Sequence, residues 1–277
     1  MHGKLTATSI VEQNTASALV LEDDVDWDVR IKSQMETFAE ASRLLIQPLP
    51  GNSTGFLDPT YPAAMRGDRP SDFTIGENMT SVPTSSPYGD LNRWDLLWLG
   101  HCGARFPYAS DKNVPIGRVV IQNDTTVPAI QYLDMGVGDS QLLRYPSHTR
   151  IISRARVNSC SLAYGISQQG ARRMLYELGI HKLDAPADIM YRSVCDGVEG
   201  RGHATCLSVQ PQLFQHHQPI GSRRAQSDIT VGGRKYSGYQ QKAVTTNIRW
   251  SIRLNLPKFV NGETDYLDQF PDANSTP

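Results

Sequence analysis

An α/β fold is predicted by three features of the sequence. The apolar run Ala18-Leu19-Val20-Leu21 is followed at once by Glu22, Asp23, Asp24, Asp26 and Asp28, which reads as a buried strand delivering carboxylates to a sheet edge. A helical apolar stripe at Ile31, Met35, Phe38 and Leu45 comes next. Beyond it, strand-like and helix-like segments alternate along most of the chain.

In chain order, Leu5–Glu12 reads as the end of a helix packed before that strand. A helix over about Val29–Leu45 follows, with Asp28 placed to cap it and Pro48 and Pro50 ending it. Residues 48–90 are rich in Pro, Gly, Ser, Thr and Asn with no helical or strand period, the composition of a long surface insertion. Order resumes at Trp94–Leu99, a strand with Asp95 embedded, and the turn Gly100-His101-Cys102-Gly103. Weaker strands are expected at Val119–Ile121 and Ile130–Leu133. Ser159–Ile166 reads as a strand, Ser167 as an N-cap, Gln168–Leu178 as a helix facing Met174, Leu175 and Leu178 inward, and Gly179 as its stop. Asp184-Ala185-Pro186 opens a helix running to Val194, and Leu207–Val209 is a short strand. The pattern weakens after Ser227, so 231–277 is expected to be a C-terminal extension with a fraying tail.

The length of 277 residues supports one large or two small domains, and the net charge of −1 does not mark a nucleic-acid binder. No apolar stretch approaches the length of a membrane span. Cys102, Cys160, Cys195 and Cys206 lack zinc spacing; Cys195 and Cys206 either close a short disulfide loop or remain free buried thiols. Glycosylation sequons at Asn52, Asn78, Asn123 and Asn274 favour a secretory lumen. Met1–Gln13 has no apolar signal core, so the lumen requires a signal upstream; without one the chain is cytoplasmic.

Crowded carboxylates repel unless a cation sits among them, and a hard divalent ion with oxygen ligands is the natural counter-charge. An EF-hand starting at Asp24 fails, because Val29 and Met35 stand where Gly and Glu are needed. Side chains two apart on an extended segment face the same way, so Glu22 and Asp24 converge, Asp26 continues that face and Asp23 points elsewhere.

Several segments in order resemble glycosyltransferase family 25, the family of lipooligosaccharide and collagen galactosyltransferases: Leu21–Val25, Trp94–Gly100, Ala163–Ser167 with Gly170-Ala171, Asp184–Asp188, Gln215–His217 and Ser227–Ile229. The wording is closest to uncharacterised fungal members and spans about Ile10–Thr230. The resemblance implies a GT-A-like, Rossmann-like domain over 1–230: a mixed sheet with flanking helices. It implies transfer of a hexose, galactose above all, from a UDP-sugar to a glycan or protein hydroxyl with inversion, assisted by Mn²⁺ or another divalent cation. It places Asp24, Asp26, His216 and His217 at the metal and Glu22, Asp23 and Arg223 at the donor. Asp188, with Asp184 as its neighbour, becomes the base. Such enzymes carry about three strands before the acidic motif, whereas here only 21 residues precede Glu22. The first nucleotide-binding strands are therefore expected to be missing. The chain alone is then expected to be poorly soluble and to transfer little sugar, and an N-terminally extended form to recover both properties. The alternative is a truncated, non-catalytic binding or scaffold protein of the same fold.

Overall fold

The computed structural model describes residues 2–76, 79–111, 114–136, 138–222 and 238–272. They form a mixed α/β structure around one ten-stranded sheet. The strands are β1 (Ser17–Leu21), β2 (Val25–Trp27), β3 (Asp72–Phe73), β4 (Leu96–Gly100), β5 (Arg118–Ile121), β6 (Arg150–Arg154), β7 (Ala163–Ser167), β8 (Cys206–Gln210), β9 (Phe214–Gln218) and β10 (Val244–Thr245). Seven of them run in the order β1-β7-β4-β8-β6-β5-β3, while β9 pairs with β2, β10 and the end of β4. Only β4–β8, β9–β4 and β3–β5 are parallel. The helices are α1 (His2–Glu12), α2 (Ile31–Ile46), α3 (Gln168–Tyr176), α4 (Ala187–Asp196) and α5 (Ile252–Val260).

The alternation of β4 builds two cores. Leu97 and Leu99 pack with Phe38, Leu44 and Leu45 of α2 on one face. Leu96 and Trp98 pack with Met174, Tyr191 and Val194 of α3 and α4, and with Ile10 of α1, on the other. A strand apolar at every position suits this doubly covered place. The N-cap at Ser167 forms as expected, its hydroxyl accepting the Gly170 amide at 3.0 Å. Gly170 is required there because a Cβ would collide with the Asp95 carbonyl.

Several expectations need correction. The Ala18–Leu21 strand is not buried: β1 is an edge strand with Leu19 51% and Leu21 41% exposed. Ile130–Tyr132 is a 3₁₀ turn, closed by the Tyr132 amide on Ala129. Gly179 does not stop α3, which passes into a π-helical turn at Glu177–His181. The Ser159–Ile166 strand is broken at Cys160, which has φ +59°, leaving the short strand Arg156–Ser159 ahead of β7. The described part of the 48–90 segment is built in: Asp58 and Thr60 are buried, and β3 extends the sheet beyond β5. Residues 238–272 are no loose extension either. β10 joins β9, and α5 packs against β2. All four cysteines are paired, Cys102 with Cys160 and Cys195 with Cys206.

Candidate metal centre

The acidic segment leaves the carboxyl end of β1, where Leu21 lies level with Ala163 and Gly100. It turns at Asp23-Asp24 and enters β2, which β9 pairs in antiparallel register with His216 opposite Val25. This pairing brings a late histidine to an early acidic turn. The His216 Nε2 lies 3.8 Å from a Glu22 oxygen and 3.7 Å from an Asp24 oxygen. One ligand atom from each of Glu22, Asp24 and His216 falls within 4.8 Å of the others. The other Asp24 oxygen, Oδ1, is buried and has no hydrogen-bond partner. The contact with Glu22 holds the His216 pKa above its usual value; burial opposes this, and the Asp24 and Glu22 charges add to the rise. Two carboxylates and one imidazole, partly exposed, form a donor set suited to a divalent cation with further positions open.

The neighbouring acids have other partners. Asp26 is fully buried. Its Oδ2 accepts from the hydroxyls of Thr245 (2.6 Å) and Ser251, and its Oδ1 from the amides of Trp27 (2.8 Å) and Arg253 (3.2 Å). Burial alone would raise its pKa, but these bonds and His217 hold it below the usual carboxylate range. His217 faces this network: its Nδ1 meets the Thr245 hydroxyl at 2.9 Å. Alternation along β9 thus sends His216 to the acidic turn and His217 to the interior. The structure places Asp26 and His217 in a buried clamp, apart from the cluster. Asp23 is exposed, and its carbonyl accepts from Arg253 at 2.6 Å. Asp28 is buried and accepts the Arg30 amide ahead of α2, but it does not cap the helix, whose N-cap position is Arg30 with no side-chain cap bond.

The two base candidates differ. Asp184 is paired with Lys182 at 2.6 Å and with the buried Arg201 at 3.0 Å, and these partners hold its pKa down. It anchors the loop before α4. Asp188, in the first turn of α4, accepts the Cys160 amide at 3.0 Å. The next residue, Ser161, donates to Glu22 at 3.3 Å, and the Glu22 amide reaches the Leu162 carbonyl. Residues 160–162 therefore touch both Asp188 and Glu22, which ties the proposed base to the metal cluster through one turn. That turn is pinned by the Cys102–Cys160 disulfide, a pairing that sequence reading missed; the left-handed Cys160 has no sequence signal.

His101, in the turn after β4, is closed off from solvent. It is 2% exposed, with its Nε2 2.9 Å from the Val209 carbonyl. Arg150 is paired with Asp124 at 2.7 Å and Arg156 with Asp111 at 2.9 Å. Arg223, Arg224 and the Ser227–Ile229 segment lie outside the described residues. No protein-family model, curated protein or solved structure matches the chain.

Proposed function

We propose that the chain is a metal-dependent glycosyltransferase that moves a hexose, galactose first among the candidates, from a nucleotide sugar to a glycan or protein hydroxyl with inversion. The observation that carries this reading is the convergence of Glu22, Asp24 and His216, from segments almost two hundred residues apart, at the carboxyl end of β1. The residues fit Mn²⁺: two carboxylates, one imidazole and a buried unpartnered Asp24 oxygen that a cation would satisfy. When bound, the ion supplies positive charge against the leaving diphosphate. Glu22, Asp24 and His216 would hold it, and Asp188, whose carboxylate accepts the Cys160 amide, is the candidate base for the acceptor proton. A mixed sheet with an acidic turn beside an antiparallel strand supports a GT-A-like arrangement. Two disulfides and exposed sequon residues at Asn52 and Asn123 support an oxidising secretory compartment.

Calorimetry with Mn²⁺ and UDP-galactose tests the reading. Asp24→Ala is expected to abolish Mn²⁺-dependent donor binding with an unchanged near-UV circular dichroism spectrum. Equal Mn²⁺ affinity in parent and variant would remove Asp24 from the site. A second reading, a non-catalytic binding or scaffold protein, is favoured by the half-exposed Leu19 and Leu21 on the free edge of β1, beside the cluster. It predicts donor binding without turnover.

A further inference from the structure

The opposite end of the strands carries a second concave site. Arg154, at the end of β6, lies opposite Leu207 near the start of β8, and β8 begins level with Leu96 of β4. Leu21 lies level with Gly100, at the other end of β4. Four strand spacings also separate β1 from β6, so the two sites stand on the order of 20 Å apart. No small ligand spans both.

Arg154, His203 and Thr205 form the polar side of a cavity of about 290 Å³, with Tyr61, Pro62 and Pro115 among its other walls. Arg154 is only 4% exposed, and its Nε has no hydrogen-bond partner. Of the acids that act on it, Asp95 is ion-paired with Arg173, whereas Asp58 meets only neutral donors and keeps its charge toward the guanidinium. Asp58 accepts from the Thr60 amide and hydroxyl and the Gly117 amide. Asp95 accepts from Arg173, Gln169 and the Thr205 amide. Tyr61 lies beside the guanidinium and accepts a hydrogen bond from it, its ring centre 5.5 Å from the guanidinium carbon. The His203 Nε2 is also buried and unpartnered. Burial, then the Arg154, Arg156 and Arg173 charges, push the His203 pKa down to about 4, so at neutral pH the ring is an uncharged donor or acceptor.

A buried guanidinium whose Nε lacks an acceptor is costly, and its planar fork matches an oxyanion. Three donor-bearing groups on one side suit the three free oxygens of a phosphate monoester better than a carboxylate. The cavity is larger than a phosphate, and its Tyr and Pro walls suit an apolar or ring-bearing remainder. We propose that this cavity binds a small organic phosphate, with Arg154 as the counter-charge, His203 and Thr205 as further partners, and Tyr61 and the prolines against the organic part. The proposal stands independently of the glycosyltransferase reading.

Calorimetry on the full chain with phenyl phosphate, inorganic phosphate and phenylacetate tests it, alongside NMR of the histidine ring protons. Phenyl phosphate is expected to bind saturably and about tenfold more tightly than either other probe, and to shift His203 but not His216. Arg154→Gln is expected to weaken it more than tenfold and Thr205→Val severalfold. Should Arg154→Gln fail to fold, Thr205→Val and Tyr61→Leu decide by the same measure. Lack of saturable binding, an unshifted His203, or unchanged affinity in the folded variants would overturn the site. Inorganic phosphate binding as tightly as phenyl phosphate would refute the organic part, and phenylacetate doing so would refute the phosphate class. Mn²⁺ affinity at Glu22, Asp24 and His216 should be unaffected throughout.

Discussion

Lowering the pH should destabilise the fold through His101, by an amount the structure allows to be worked out. The ring is buried at the end of β4, and its Nε2 donates to the Val209 carbonyl while Nδ1 has no partner. Burial lowers its pKa from 6.5 to about 4, with the carbonyl pulling weakly upward. Between those values the unfolded chain carries a proton that the folded chain refuses. The stabilisation is therefore complete above pH 6.5, declines as pH falls through that value, and is gone below about 4. The full shift is about 3 kcal/mol, and most of it is lost at about pH 4.5. Urea unfolding at about pH 7.5 and 4.5, on parent and His101→Gln, isolates the effect. Gln can still donate to Val209 but does not titrate. The parent should lose about 2–3 kcal/mol more than the variant between the two conditions. The similarly depressed His203 is present in both proteins and cancels in the difference. Equal pH dependence of the two proteins would refute the reasoning.

His216→Ala should weaken Mn²⁺ binding at least about tenfold, whereas His217→Ala should leave calorimetric Mn²⁺ affinity intact and cost about 1 kcal/mol in urea unfolding, because its partner is the Thr245 hydroxyl. Asp188→Asn should lower turnover by about 10²–10⁴ with donor affinity spared; Asp184→Asn should change turnover little, and the reverse ranking would move the base. Replacing both Cys195 and Cys206 by Ala should cost about 2–3 kcal/mol in urea unfolding at fixed pH, and an unchanged midpoint would show that the bond adds no stability.

The fold was legible where local pattern and burial agree. The stripe at Ile31, Phe38 and Leu45 does face the sheet, and Ser167 does cap α3. It was less legible where tertiary context overrides composition. The strand β6 hides because Arg150 and Arg154 flank Ile151 and Ile152, and both arginines are buried. β9 hides because Gln215, His216, His217 and Gln218 look like a loop until β2 and β10 pair with them. Within the site, Glu22, Asp24 and one histidine of the pair were readable from residue type and spacing. Which histidine faces the acids depends on the pairing of β9. Asp26 could not be told from a ligand, because the hydroxyls that engage it lie at Thr245 and Ser251.

The clamp on Asp26 has a consequence for how the protein is made. Translation delivers Glu22 and Asp24 early, but the groups that fasten β2 beneath them, Thr245, Ser251 and the Arg253 amide, arrive more than two hundred residues later. A nascent chain released after β8 would carry the apolar strands of the sheet and the acidic turn, yet neither His216 nor the bonds that fix the turn's exit. Because chains are synthesised from the amino end, Glu22, Asp24 and His216 can come together only after β9 has been made.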